Sequence, residues 1–547
     1  MEKKTFLAIV LSLVILVVWQ WAFKPKSQHI DLAQSTQTIQ TTSTTDKIQQ
    51  PSQIRAENSE ATLDNSAIES KKPAKTFQIE TDEMIYTLSE DEASITSCLL
   101  KENRLNKKTT VELVLNGKLA NDKNTGNWLS IISQKDRSHN ICPPVVEQIC
   151  PPEFVGQAKF LKRIHEFDIE KTFYFKKDSN FVDIKYSVLN KTKLPKSFNG
   201  LTLSIGPGLG TDVKELKENN RLLRAILYST KKAEKLKVGD YQFVSKWAGI
   251  DNRYFLSVFL RTNDDFKNIK VETSEKIPSM EIFTGKIDFL PFEKKLFSII
   301  YYTGPKGYAN LKGMKLDGLN PQLEKAVDFG FFSDLGEIAL FALNYIYKFT
   351  NNYGWAIFII SVILNIISYP LSKKSFTSSQ KMKSVQEEIK ILQMRYKGDP
   401  KKLNTETWAL YKAKGVNPLS GCLPMLVQLP IFWALFTMLR NAYELRGAHF
   451  IFWITDLSAK DPYYILPILM GGGMFLQQWM STNTADPTQK QMMIMMPIIF
   501  TVMFLGFPSG LVIYWLTNSI VTVLEQWLIF SKGSSDKKNK NVILSTR

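Results

Sequence analysis

The sequence predicts a polytopic α-helical membrane protein, with six transmembrane helices and a large β-sandwich domain held outside the membrane. Three observations predict it. Apolar residues are spread unevenly along the 547 residues: long apolar runs dominate from about Tyr353 onward, whereas the part before it, apart from an N-terminal stretch, is charged and irregular. Between Thr76 and about Gly304, short stretches alternate apolar and polar residues and are broken by Gly, Asn and Pro, the pattern of half-buried strands. The basic excess, a formal net charge of +17, is densest between the apolar runs and in the tail. Positive residues there fix orientation and attract anionic headgroups, so the charge argues for a membrane surface rather than nucleic acid. Averages of 44% hydrophobic and 22% charged residues conceal two unlike parts.

The elements follow in order. Residues 1–23 read as an uncleaved transmembrane anchor: the run from Phe6 to Phe23 is near spanning length, Trp19 and Trp21 suit an interfacial belt, and no Ala-x-Ala site follows. Residues 24–75, rich in Ser, Thr, Gln, Asn and Ala, are too polar to bury a core and are expected to form a disordered tether. Residues 76–320 form the β-sandwich domain, with strand patterns such as Phe181-Val-Asp-Ile-Lys-Tyr-Ser-Val-Leu. Within it, Gly206-Pro-Gly-Leu-Gly reads as a turn, because no strand-then-helix context and no Walker-type Gly-Lys-Ser/Thr accompanies it. Cys142 and Cys150, in a repeat of Ile-Cys-Pro-Pro, leave open a disulfide or two free thiols, and Cys98 and Cys422 are expected to be unpaired. Residues 321–350 place apolar positions at helical spacing among a few charges, as in an amphipathic helix lying in the outer interface.

Residues 351–530 hold five further spans, placed at Gly354 to Leu371, Leu419 to Arg440, Tyr463 to Met480, Met492 to Phe507 and Gly510 to Phe530. Between the first two of these, residues 373–417 form a helical hairpin, with Met382, Val385, Ile389, Leu392 and Tyr396 at helical spacing. Asp399 is expected to cap its second helix, with Pro400 in the first turn. The loop carries eleven basic against four acidic residues, a net of +7, and this loop and the basic tail 531–547 are assigned to the cytoplasm. Six spans with both termini inside place the β domain outside. The hairpin's charges read first as a solvated face, with contact to ribosome or nascent chain as the second reading.

The spans offer little catalytic chemistry. His29, His139, His165 and His449 fall outside the hydrocarbon cores, and no His-Glu-x-x-His, intramembrane Asp pair or Ser-His couple can be drawn. Glu525 and Arg440 sit near span ends, where long side chains reach the interface. Uncharged polar residues are more telling. Ser361, Asn365, Ser368 and Ser372 recur at i, i+4, i+7 and i+11 and so share one helix face. Tyr514, Asn518 and Thr522 repeat the pattern in the last span, and Gln428 stands between Pro424 and Pro430. Each alone reads as interhelical hydrogen-bond glue. Together they point to a water-filled groove, in which Ser361, Asn365, Ser368, Gln428, Tyr514 and Asn518 are the candidate site residues. Met492-Met-Ile-Met-Met reads as lipid-facing filler or an adaptable surface.

Three stretches carry a family resemblance: Asn417 through Phe436, Asp456 through Gly471, and Phe507-Pro-Ser-Gly-Leu-Val-Ile-Tyr. They resemble the YidC membrane-protein insertase family, and the match spans Gly354 to Phe530. Trp247-Ala-Gly-Ile-Asp-Asn-Arg-Tyr-Phe and Thr303-Gly-Pro-Lys resemble the longer Gram-negative members. The resemblance implies a five-helix insertase core with a periplasmic β-supersandwich between the first two spans, in the bacterial inner membrane. It also implies insertion of nascent membrane proteins, alone or with the Sec translocon, without cofactor or metal, through a cytoplasm-facing groove whose entry the hairpin regulates. Where such groves in the family hold an arginine, four residues before Tyr369-Pro370, this chain has Asn365, and Trp515 stands where a second tyrosine often occurs. Two rival readings are a channel or secondary transporter, which would call for paired mid-membrane charges or repeated spans, and a carbohydrate-binding or hydrolytic β domain on a passive anchor.

Overall fold

The computed structural model describes residues 75–545 apart from 91–92, 105–106, 115–140, 148–153, 178, 213–214, 229–231, 275, 317, 319, 417–422 and 482–486. The expected anchor, all but the end of the expected tether, and the side chains of Cys142, Cys150 and Cys422 lie outside the described residues. Cys98 is described, and it is a buried free thiol.

Among the described residues, nineteen strands fill the first part of the chain, with one short helix between the tenth and eleventh: β1 (Thr76–Glu80), β2 (Met84–Ser89), β3 (Ser94–Arg104), β4 (Lys107–Glu112), β5 (Ile141–Glu147), β6 (Phe154–Ile164), β7 (Phe167–Lys176), β8 (Phe181–Asn190), β9 (Lys196–Phe198), β10 (Thr202–Ile205), β11 (Arg224–Tyr228), β12 (Ala233–Lys235), β13 (Gly239–Gln242), β14 (Trp247–Asp251), β15 (Phe255–Leu260), β16 (Asn268–Ser274), β17 (Ile277–Phe283), β18 (Ile287–Phe289) and β19 (Lys294–Pro305). The central sheet has nine strands in the order β12-β11-β14-β15-β19-β8-β7-β6-β5, and two four-stranded sheets, β1-β2-β3-β4 and β10-β17-β16-β13, accompany it. Alternation along β8 buries Val182, Ile184, Tyr186 and Val188 on one face. These meet Met84, Tyr86 and Ile95 from the first small sheet and Leu203, Ile269 and Ile282 from the second, in one continuous core. The expected sandwich is therefore present.

Strands β14 and β15 break the alternation, since every one of their residues is buried. Strands covered on both faces lose the polar half of the pattern. What covers the second face is the helical part of the chain. A second core begins at Trp247, Leu256, Val258 and Tyr302 and continues through Leu311, Leu323 and Phe329 to Leu340, Ile357, Leu439, Leu457 and Leu511.

The helices are α1 (Leu216–Leu222), α2 (Tyr308–Gly313), α3 (Ser333–Thr350), α4 (Tyr353–Arg395), α5 (Pro400–Ala413), α6 (Leu423–Asn441), α7 (Ile465–Ser481), α8 (Pro487–Phe504) and α9 (Ser509–Ser545). Several expectations shift. Helix α3 is shorter than 321–350, because Leu323–Ala326 forms a separate 3-10 turn; it buries Leu340 and Leu343 and leaves Ile338, Phe341, Tyr345 and Phe349 exposed. The second span and the first hairpin helix are a single helix, α4, with Pro370 inside it. The apolar run ends near Leu371 but nothing in the following sequence stops the backbone until Gly398-Asp399-Pro400. Asp399 does cap α5, accepting from the Lys402 N–H at 3.0 Å. Helix α9 likewise runs on past Phe530 into the tail. By length and hydropathy, Tyr353–Met382 and Ser509–Ile529 can each cross a membrane, and Ile494–Phe504 is a shorter apolar helix, among the described residues. The Gly206 segment is a turn: Gly206 and Gly208 have positive φ, and the Gly208 N–H donates to the Pro278 carbonyl at 2.8 Å. It does have β10 before it and the short α1 some residues after it, a context the sequence reading did not expect.

Candidate functional site

Helices α4 and α9 start from one loop. Residues 442–464 connect α6 to α7, and Asp456 and Asp461 organise this loop. Asp456 accepts from the Gly447 and Ser458 N–H groups, while Asp461 accepts from Trp453 Nε1 at 3.0 Å and the Leu466 N–H at 2.7 Å. The loop then holds both helix starts. The Asn352 amide donates to the Phe450 carbonyl at 3.0 Å, while its oxygen caps the Gly354 and Trp355 N–H groups. The Ser509 and Gly510 N–H groups donate to Ala459 and Leu457 at 2.7 and 2.9 Å. A Cβ on Gly510 would lie 3.2 Å from Ile357 Cδ1, so a small residue lets the helices meet there.

Two parallel helices that leave the same point climb together at ~1.5 Å per residue. Ile357 beside Gly510 then puts Tyr514 level with Ser361 and Asn518 level with Asn365. Since both sets share the i, i+4 spacing, the two polar stripes keep one register along the helix pair. Its end near the loop is closed: Ser361 is 0% and Tyr514 1% exposed. Asn365, Ser368 and Asn518, further along, are partly exposed.

The structure brings Gln428 and Tyr514 together, the Gln428 amide donating to the Tyr514 hydroxyl. It does not join the others across helices. The Ser361 hydroxyl donates to its own helix at the Ile357 carbonyl, 2.6 Å away, and the Asn365 amide to the Ser361 carbonyl at 2.8 Å. The side chains of Ser368 and Asn518 make no hydrogen bond to another described residue. The glue reading thus fits Gln428 and Tyr514, while Asn365, Ser368 and Asn518 keep polar capacity to spare. Trp515 packs its ring among Phe432, Phe500 and Phe504. Met495 and Met496 are exposed on α8, as lipid-facing filler would be.

Two features were missed. Glu525 does not extend from a span end into the interface but is 8% exposed, on the stripe of Tyr514 and Asn518; its i+11 spacing from Tyr514 was the available signal. The second is a charged junction between the β domain and the loop after α6. Arg446, 4% exposed in its side chain, donates to both Glu102 oxygens at 2.7 and 2.8 Å and to Glu215 at 2.6 Å. Its guanidinium lies over the Tyr254 and Phe255 rings, and the Tyr443 hydroxyl donates to Glu102 at 2.6 Å. Burial works to lower the Arg446 pKa, but Glu215 and Glu102 outweigh it and raise it. Arg253 reaches Glu218 at 2.9 Å and the Arg440 carbonyl at 2.7 Å, so Arg440 contributes its backbone here. Behind it, buried Asp251 pairs with Arg224 at 2.8 Å and Lys306 at 2.6 Å. Burial lowers the Lys306 pKa, with Asp251 opposing. The Asp251-Asn-Arg run singled out in the sequence thus holds the sheet to the helices.

A β-sandwich fastened to a set of apolar helices, two of them long enough to cross a membrane, defines a helical membrane protein with a docked extramembrane domain. Residues 345–537 match the family model for the 60Kd inner membrane protein, and residues 162–341 match the YidC periplasmic domain. A membrane protein insertase YidC of Endomicrobium trichonymphae is 47% identical over 370 residues, covering 65% of this chain and 70% of that protein. One of Francisella philomiragia is 36% identical over 379 residues, covering 66% and 67%. A crystal structure of an active YidC insertase with its first transmembrane domain resolved aligns over 83% of this chain and 92% of its own, at 18% identity and a TM-score of 0.38. The chain belongs to the YidC membrane protein insertase family. It is an insertase of the inner membrane with a periplasmic β-sandwich domain, it acts on nascent membrane proteins, and it is not an enzyme.

Proposed function

We propose that the seam between α4 and α9, with Gln428 of α6, is the groove that receives the hydrophilic end of an arriving segment and releases the apolar stretch to lipid. The carrying observation is the shared register of the two polar stripes, closed at the loop end and partly exposed at Asn365, Ser368 and Asn518. Charges at the bilayer centre cost roughly 2.5–3.5 kcal/mol each on insertion scales, and a wet seam lowers that cost over half the crossing. Asn365, Ser361, Ser368, Gln428, Tyr514 and Asn518 line it. Wetting by the polar capacity that Asn365 keeps beyond its bond to the Ser361 carbonyl, rather than a fixed positive charge, does the work at mid-span.

The same reading gives the topology. Arg446 and Arg253 tie the loop after α6 to the periplasmic domain, which supports placing the hairpin of α4 and α5 and the end of α9 in the cytoplasm. Six spans follow, 1–23 included, with residues 24–75 as tether, 76–320 as periplasmic domain, 321–350 at the interface and 351–530 as insertase core. The basic hairpin faces the ribosome or nascent chain, larger clients are handled with the Sec translocon, and basic residues bind anionic lipid.

Photocrosslinkers placed at positions 365 and 514 should capture ribosome-bound nascent membrane proteins. Silence from both sites would remove the groove. In a complementation assay, Asn365→Leu should impair clients with hydrophilic translocated ends, and full activity toward every client would show that polarity at this position is irrelevant.

A further inference from the structure

Glu525 is the buried titratable group to which the seam, as described so far, gives no role. It follows Tyr514 by i+11 and Asn518 by i+7, and so lies on the groove-lining stripe of α9. At ~1.5 Å rise per residue it sits ~16 Å beyond Tyr514, toward the end of the seam assigned to the cytoplasm and level with Ser372 of α4. It is 8% exposed, and neither a hydrogen bond nor an ion pair joins it to another described residue. Lys373 and Lys374, which follow Ser372 on α4, are exposed.

Several buried charges elsewhere are matched. Arg446 has Glu102 and Glu215, and Asp251 has Arg224 and Lys306. Glu525 has no such partner among the described residues, and it lies where another chain is expected to enter. A buried carboxylate without a partner is costly to ionise, and a cation brought beside it removes that cost. A tail moving into the seam from the cytoplasm passes Glu525 before it reaches Asn365, which carries no charge.

We infer that Glu525 is a specificity-determining residue of the insertase, favouring client segments whose leading hydrophilic end carries Lys or Arg over those whose end carries Asp or Glu. This rests on the groove reading above. The carboxylate acts as a transient counter-ion at the mouth, and the uncharged residues beyond it carry the tail without selecting sign.

The test uses the full-length protein in phosphatidylethanolamine–phosphatidylglycerol vesicles without a membrane potential. Single-span clients identical but for two Lys, two Asp or two Ser residues in the translocated tail are scored by protease protection. The parent should insert the Lys client about fivefold better than the Asp client, the order one partly solvated ion pair supplies. The Lys-to-Asp ratio is taken within each preparation, so it does not depend on how much of a variant folds. In Glu525→Gln the ratio should fall to near unity, and in Glu525→Asp, which keeps the charge, the preference should remain. A Glu525→Gln ratio equal to the parent's, or a parent with no preference, overturns the proposal. Failure of the groove itself reads differently: Asn365→Leu would then insert the Ser client as well as the parent does, whatever the Lys-to-Asp ratio.

Discussion

The junction and the seam both place polar groups away from water, and they do so in opposite ways. At the junction, Arg446 is held by two carboxylates and two aromatic faces at once. In the seam, Asn365 and Ser361 satisfy themselves on carbonyls of their own helix, and only Gln428 and Tyr514 reach between helices. Charges buried in a network are expensive to separate, whereas uncharged groups bonded within one helix leave the neighbouring helix free to part. A surface that stays shut can use the first arrangement. One that opens for each client, as proposed for the seam, needs the second.

Three substitutions can break or sharpen that contrast. The largest effect is expected from Arg446→Met, which leaves buried Glu102 and half-buried Glu215 without their cation and should cost about 3–5 kcal/mol of stability. Thermal unfolding in detergent measures it, and a melting curve like the parent's would mean that the junction is not held by charge. Tyr514→Phe removes the partner of Gln428 and should cost about 1 kcal/mol or less, as interhelical hydrogen bonds in membranes do. A loss as large as that of Arg446→Met would make the seam a second rigid joint. Ser361→Ala, whose hydroxyl bonds only its own helix, should change stability by less than about 0.5 kcal/mol in the same assay. A clear destabilisation there would reveal a cross-helix role for the hydroxyl.

What the sequence made legible follows from what periodicity records. Alternation in Phe181–Leu189 gave the strand, and the i, i+4 spacing of Ser361 with Asn365 and of Tyr514 with Asn518 gave two polar stripes. Gly398-Asp399-Pro400 gave the hairpin turn and its cap. Helix ends were harder, because hydropathy marks where lipid stops rather than where the backbone stops. Helix α4 runs on through Pro370, and α9 runs on past Phe530. Glu525 was misjudged because nearness to a span end says nothing of which neighbours cover it. The junction was out of reach for a different reason: Arg446 meets Glu102 across more than three hundred residues of chain, and pairing at that separation leaves no local trace.

The continuous second core also has a bearing on how the protein comes to be folded. Trp247, Leu256 and Val258 are translated before the helices that cover them, and the sheet's outer face shares its burial with Leu439, Leu457 and Leu511. When the β domain reaches the periplasm, that face is a greasy, unfinished surface waiting for the rest of the chain, and such surfaces are where partly made proteins aggregate. The protein that inserts others thus has a vulnerable interval in its own biogenesis, one that ends when the helices after Tyr353 cover the sheet.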